Sequence, residues 1–194
     1  MYTPDHFAVK DKEEIYSFIR KHTFGQLIST LEGRIFSTYM PFLLSDDQTC
    51  ITGHIAKPNP QHSSLNGQEV LITLEGPHGY VSPSWYEGPG VPTWNYQAVH
   101  IYGKAKVFTD TDKLKTVVDT LTDKYERLLH DPWIPQYKAA ALDMIVGIEV
   151  NISEIQGKYK LSQNRSINDR KEVIRQLKLL DNPALAKEME LHTL

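Results

Sequence analysis

The alternation of apolar and polar residues changes period several times along the chain. Ile15, Phe18 and Ile19 recur at helical spacing behind Asp11 and Glu14, whose separation is that of a capping box, so the pattern predicts a helix over 11–22. The period then drops to two. "GQLISTLEGRIFSTYMPFLL" holds two alternating stretches around Glu32–Gly33 and predicts a hairpin, extended by "TCITGHI" as a third strand after the turn "SDDQ". "AKPNPQHSSLNG" reads as a loop with one helical turn, "EVLITLEG" as a strand and "GYVS" as a separate short strand. "NYQAVHIYGKAKVFT" alternates over a long span and puts Val99, Ile101 and Gly103 on one face and Ala98, His100 and Tyr102 on the other.

The second half is more helical. Leu114, Val117, Val118, Leu121 and Tyr125 form one stripe and predict a helix over 111–130 that packs on the sheet. A short Ala-rich helix over 136–142 precedes the strand "MIVGIEVNISEIQG". Val173, Ile174, Leu177 and Leu180 mark a helix over 169–180, with Asn168 as its cap. Asn182–Pro183 then starts a last helix to about His192. Strands joined by short turns describe an antiparallel sheet, and six or more such strands tend to close into a barrel that removes exposed edges. The fold class is α+β, mainly β: an antiparallel barrel with peripheral helices and a C-terminal helical tail.

Composition narrows the class. At 194 residues, with 40% hydrophobic and 23% charged positions, the chain fits one globular domain. No apolar run approaches the ~20 residues that cross a bilayer, and the opening "MYTPDHFAVKDKEE" lacks the basic-then-apolar order of a secretory signal. A single cysteine, Cys50, excludes an internal disulfide framework and fits a cytoplasmic protein; its place before an apolar strand suggests a buried, inert thiol. The net charge of −3 hides a gradient. Residues 157–180 hold seven basic side chains against two acidic ones, a local +5 that leaves −8 elsewhere. This tract could meet a phosphate or a nucleic acid, or be a solvated helix face.

Candidate chemistry centres on "SPSWYEGPGVPTWNY", residues 82–96, where two of the three tryptophans, Trp85 and Trp94, stand with Tyr86 and Tyr96 in a Pro/Gly-rich stretch. Loops seldom hold such large apolar side chains without a use for them. They could wall a site for a planar ring, plug a barrel end, or enter a subunit interface. Nucleotide and hydrolase signatures are absent: Gly157–Lys158 is followed by Tyr159, which breaks a Walker loop, and there is no Gly-x-Ser-x-Gly, His-Glu-x-x-His or cysteine pair. No metal site and no catalytic acid–base pair is predicted. His54, His62, His78 and His100 lie mid-chain, where they could converge or serve separately.

Four motifs carry a family resemblance. "GHIAKPNPQ" (53–61), "GPHGYVSPSWY" (76–86), "VPTWNYQAVHIYG" (91–103) and "GKYKLSQNR" (157–165), in that order and after the opening "MYTPDHF", resemble the PaiB family of bacterial FMN-binding negative transcriptional regulators. The resemblance runs over nearly the whole chain. It implies the split-barrel fold of the FMN-binding type, with residues 1–165 as that domain and 166–194 as a C-terminal helical extension of it. It also implies FMN as cofactor and a homodimer with the flavin between subunits.

A flavin wants apolar walls and a few fixed polar groups. Trp85, Tyr86, Trp94 and Tyr96 suit the walls, with Asn95 for the ring edge, and His100, turned away from the aliphatic face of its strand, is a further candidate for the cofactor site. Ser82, Ser84, Lys57, Lys160, Ser162, Gln163 and Arg165 are candidates for the phosphate tail. "KLSQNR" is equally readable as a plain connector to the next helix.

The resemblance makes this a negative regulator of protease synthesis and sporulation. The final helix, "ALAKEMELHTL", is poor in the Arg, Asn and Gln that read bases, so direct DNA contact through the basic C-terminal region is disfavoured. The alternatives are a flavin-dependent oxidoreductase of the pyridoxamine-phosphate-oxidase-like type, with His100 or His78 facing substrate, and a haem-handling barrel with His54 or His100 as ligand.

Overall fold

The computed structural model describes residues 1–193, so Leu194, the end of the helical extension expected over 166–194, lies outside the described residues. The chain divides into two compact units. The first comprises Met1–Phe18, Glu75–Val99 and Gln156–Leu194; the second comprises Ile19–Leu74 and His100–Ile155. Eight strands, β1 (Ala8–Val9), β2 (Phe24–Leu31), β3 (Arg34–Pro41), β4 (Leu43–Leu44), β5 (Cys50–Ala56), β6 (Glu69–Val81), β7 (Thr93–Phe108) and β8 (Ile145–Lys160), pair in the order β3-β2-β6-β7-β8-β5-β4, with β1 added to β8. The path ends at β3 on one side and β4 on the other, so the pairing does not close. Closure was the expectation from strand number alone.

In the second unit the hairpin of β2 (Phe24–Leu31) and β3 (Arg34–Pro41) forms as the alternation predicts, with Leu31 facing Arg34. Its two-residue turn needs left-handed backbone twice, and Glu32 (φ 51°) and Gly33 (φ 79°) supply it. The next strands depart from the expected meander. β4 (Leu43–Leu44) pairs with β5 (Cys50–Ala56), and the other side of β5 pairs with β8, not with β3. Phe42, almost fully buried, marks the break, its N–H donating to the Thr23 carbonyl (2.8 Å). Gly53 makes room at this corner: a Cβ there would stand 2.5 Å from Met40 Cε and 2.7 Å from the Pro41 carbonyl. Cys50, at the start of β5, is half-buried rather than buried.

The two segments expected before the aromatic loop are one strand, β6 (Glu69–Val81). Its inward parity changes midway. Val70, Ile72 and Leu74 are buried in the first half, Gly79 and Val81 in the second, so the register of faces shifts at Gly76–Pro77. An odd insertion in a strand has this effect. β7 (Thr93–Phe108) keeps one parity throughout, and Asn95, Gln97, Val99, Ile101, Gly103 and Ala105 are all buried. β8 (Ile145–Lys160) runs further than its apolar signal, through "GKYK".

Helix α1 (Lys12–Lys21) follows Asp11, whose carboxylate accepts from the Glu13 N–H (2.9 Å), and Ile15, Phe18 and Ile19 are its buried residues. Helix α2 (Thr111–Glu126) stops four residues short of the expected 130 because its stripe fails: Leu114, Val117 and Leu121 are buried, but Leu128 and Leu129 are exposed. It lies against β5 and against the 3-10 turn Ala139–Met144, which takes the place of the expected Ala-rich helix.

In the first unit α3 (Ile167–Leu179) is capped by Ser166, whose Oγ accepts from the Asp169 N–H (3.1 Å), two positions earlier than the expected Asn168. Helix α4 (Pro183–Leu191) starts as predicted, with Asn182 Oδ1 accepting from the Leu185 N–H and Pro183 in the first turn. Val173, Ile174, Leu177, Leu185, Ala186 and Met189 from this helical pair are buried.

Candidate functional site

The strand alternation sorts the aromatic residues of the first unit. On β7, Asn95 and Gln97 turn inward, and Trp94, Tyr96 and Ala98 take the opposite face. On β6, His78 and Tyr80 are exposed beside buried Gly79 and Val81. Trp94 is 55% exposed, with its ring centroid 6.4 Å from His78 and 6.2 Å edge-on to Tyr80. On β8, Tyr159 is buried 5.6 Å from Phe18, while Lys158 and Lys160 project on the other side. Lys160 Nζ donates to Thr93 Oγ1 (2.6 Å) and to the Trp94 carbonyl (2.7 Å). Lys158 Nζ donates to the Tyr2 carbonyl (3.0 Å) and lies 5.4 Å from the Tyr96 ring centroid.

The electrostatics of this face are one-sided. Lys158 is only 9% exposed, yet neither it nor Lys160 forms an ion pair with any described carboxylate. Burial pushes the Lys160 ammonium below the usual lysine range, and the neighbouring charges of Lys158 and Arg165 push it the same way. A desolvated cation without a counter-ion is costly unless something anionic meets it. Aromatic rings beside ammonium groups that lack carboxylate partners suit a flat ligand that carries negative charge.

The other expected site residues of this unit are mostly engaged with one another. Asn95 is fully buried; its Nδ2 donates to Ser162 Oγ (2.8 Å) and Met189 Sδ (3.4 Å), and its Oδ1 has no partner. Ser162, at φ 67°, starts a turn closed by Gln163, whose Oε1 accepts from the Leu161 N–H (2.7 Å) and whose Nε2 donates to the Tyr159 carbonyl (2.6 Å). Arg165 spreads over the Tyr86 ring at 4.1 Å and donates to the Pro89 carbonyl (3.3 Å). Ser82 caps the 3-10 turn Pro83–Trp85 and bonds to Ser84 Oγ (2.8 Å). Trp85 does not join Trp94. With Tyr86 and Glu87 it lines a separate cleft of about 450 Å³ against α3.

Two expected residues belong to the second unit. Lys57 is exposed at the end of β5, where its carbonyl meets His62 Nε2 (3.0 Å). His100 stands on the half-exposed face of β7, 6.5 Å from the Tyr102 ring. His54 is half-buried, and burial holds its imidazole below the ordinary histidine value. His78 is in the first unit and His54, His62 and His100 are in the second, and no cluster among the described residues could hold a metal ion. The residues that sequence reasoning left out of the site are Lys158 and Tyr80, while His78 entered it only in the oxidoreductase alternative. The signal for Lys158 was its spacing from Lys160, two apart, which shares a face only if the strand runs through them.

Residues 1–154 match the family model described as "Putative FMN-binding domain". The chain belongs to that family. It is 41% identical over 197 residues to the Protease synthase and sporulation protein PAI 2 of Bacillus subtilis, covering 97% of this chain and 94% of the relative. The PaiB resemblance carried by the four motifs therefore holds, and FMN is the cofactor this family membership assigns. Among solved structures, the FAD and heme binding protein of Mycobacterium smegmatis aligns with a TM-score of 0.62 at 14% identity, over 79% of this chain and 73% of that one. The flavocytochrome Anf3 of Azotobacter vinelandii aligns at 0.60 and 18% identity, over 79% and 69%. These two likenesses show the fold, the antiparallel split barrel expected from the resemblance. No described helix is long and apolar enough to cross a membrane.

Proposed function

We propose that this protein is a homodimeric, cytoplasmic FMN-binding negative regulator of protease synthesis and sporulation, with 1–165 as its flavin-binding domain and 166–194 as an extension of that domain. The observation that carries the flavin assignment is the aromatic face of the first unit with two ammonium groups lacking carboxylates. Tyr80, Trp94 and Tyr96 offer ring contacts, and Lys158 and Lys160 balance the charge of the flavin or its phosphate. Bound FMN supplies one- and two-electron redox chemistry; the residues of this face bind and orient it. The regulatory assignment is supported by the 41% identity to the Protease synthase and sporulation protein PAI 2 of Bacillus subtilis.

Two features support the dimer and the extension. Phe24 and Tyr39 stack at 6.0 Å on the exposed side of the β2–β3 hairpin, and Ile35 is exposed four residues before Tyr39 on the same strand, apolar surface suited to a second copy. Met189 and Glu188 of α4 bond to Asn95 and Gln97 of β7, so the extension shares the core of the first unit. Repression in this reading is not base readout by α3. Arg175 is held bidentate by Glu172 (2.8 and 2.7 Å) and Lys178 by Glu190 (2.5 Å), which spends two of the cations of its outer face.

The test is a visible spectrum of the purified protein with added FMN, beside Lys160→Ala. Wild type takes up FMN and the variant binds roughly tenfold or more weakly; a colourless protein that takes up none sinks the flavin reading. Anaerobic NADH separates the oxidoreductase alternative, because bleaching of bound flavin would favour redox catalysis over regulation.

A further inference from the structure

The cleft beside Trp85 lies apart from the proposed flavin face and is built from other residues. The 3-10 turn Pro83–Trp85 and the following Tyr86 and Glu87 form one wall; Asn168, Lys171, Glu172 and Arg175 form the other. The spacing of these four on α3 places them along one helix face. The cleft measures about 450 Å³, within the range of small-molecule sites.

Its aromatic wall is fixed from behind. Arg165 stacks on Tyr86 at 4.1 Å, and Gly90 fits so closely that a Cβ there would sit 2.4 Å from the Tyr86 ring. Glu87 is anchored by its backbone N–H, which donates to Asp169 Oδ1 (2.9 Å), a buried carboxylate on α3. The turn and the helix are therefore bonded to each other at the cleft, and the site exists before any ligand arrives.

The charges that line it are not equivalent. Glu172 and Arg175 neutralise each other through the bidentate pair, which also draws the Glu172 carboxyl down to about 2. Among the described residues, Lys171 and Glu87 have no ion-pair partner and the Asn168 amide no hydrogen-bond partner. What remains for a ligand is one ammonium, one carboxylate and an indole–phenol wall, with the Asn168 amide as a further neutral hydrogen-bonding group. Among the described residues that line the cleft, a phosphate-rich ligand would find a single unpaired cation, Lys171, and an unpaired carboxylate, Glu87, in the same lining. A zwitterion with an apolar side chain would satisfy all three features at once: its carboxylate on Lys171, its ammonium on Glu87, and its side chain on Trp85 and Tyr86.

We propose that this cleft is a second binding site, for a free amino acid or dipeptide with a large apolar side chain. At the per-atom efficiency of ordinary ligands, a dozen-atom compound of this kind binds with a Kd on the order of 1 mM. The experiment is isothermal titration of the whole protein with L-phenylalanine and with Ala-Phe, beside N-acetyl-L-phenylalanine amide, which has the ring and neither charge. At least one zwitterion is expected to bind, the two arms separating free amino acid from dipeptide. The capped compound is expected to bind at least about tenfold more weakly. Lys171→Met and Glu87→Gln should each cost a similar factor and leave FMN uptake unchanged, because both residues are exposed and outside the flavin face. Equal binding of the capped compound, variants that bind as wild type, or no heat from either zwitterion at about ten times the expected Kd would each overturn the proposal. Failure of FMN uptake alone would leave it standing.

Discussion

Lys158 is the residue whose surroundings say most about function. A side chain 9% exposed that carries a positive charge and meets one carbonyl and two tyrosine rings lowers stability unless an anion completes it. Lys158→Met is therefore expected to raise the melting temperature of the flavin-free protein by a few degrees, about 1 kcal/mol, while weakening FMN binding roughly tenfold. Calorimetry and flavin titration on the same preparation check both halves, and a variant that loses stability would show that the lysine is structural. His54 gives a pH signature. Burial lowers its folded-state value, so the unfolded chain takes up the proton first as pH falls. Stability should be level above the ordinary histidine value near pH 6.5 and decline below it. His54→Gln should flatten that decline in urea unfolding at pH 7 and pH 5.5.

At the scale of elements, one hairpin turn, one helix start and one long strand were legible, while several element ends and the strand partners were not. The Glu32–Gly33 turn, the Asn182–Pro183 start and the long alternation of β7 are local, and each was read from its own residues. The parity switch at Gly76–Pro77 was not, because a proline between two alternating runs looks the same whether the strand ends or shifts faces. The place of β5 was hidden for a similar reason: only the approach of Met40 and Pro41 shows why position 53 must be small. Gly53→Ala should cost about 1–3 kcal/mol in chemical denaturation with little change in the slope of the transition, since the Pro41 carbonyl must move and the rest of the strand can stay. "KLSQNR" falls between the two cases. Its turn is closed by Gln163 on its own strand end, which the sequence permitted as a connector but could not distinguish from a ligand site.

For the whole molecule, the proposed assembly makes a ligand-linked prediction. FMN binding only to the folded protein should raise the melting temperature with FMN concentration, by about 2.7 kcal/mol of added stability at one hundred times Kd. The paired state of Arg175 and Lys178 predicts that any DNA binding is weak and lost between low and moderate salt; a gel shift that survives physiological salt would restore direct repression.

The sequence by itself determined the mainly antiparallel architecture, most element positions and, through four ordered motifs, the family. Period-two and period-3.6 patterning and turn chemistry are local consequences of backbone geometry, so they are written in neighbouring residues. Tertiary structure decided which tryptophan faces what, that Asn95 is a core residue, and that Lys158 stands beside Tyr96 without a carboxylate. Those facts depend on which strands become neighbours, and that choice is made by burial and close approach over distances along the chain that no local pattern encodes.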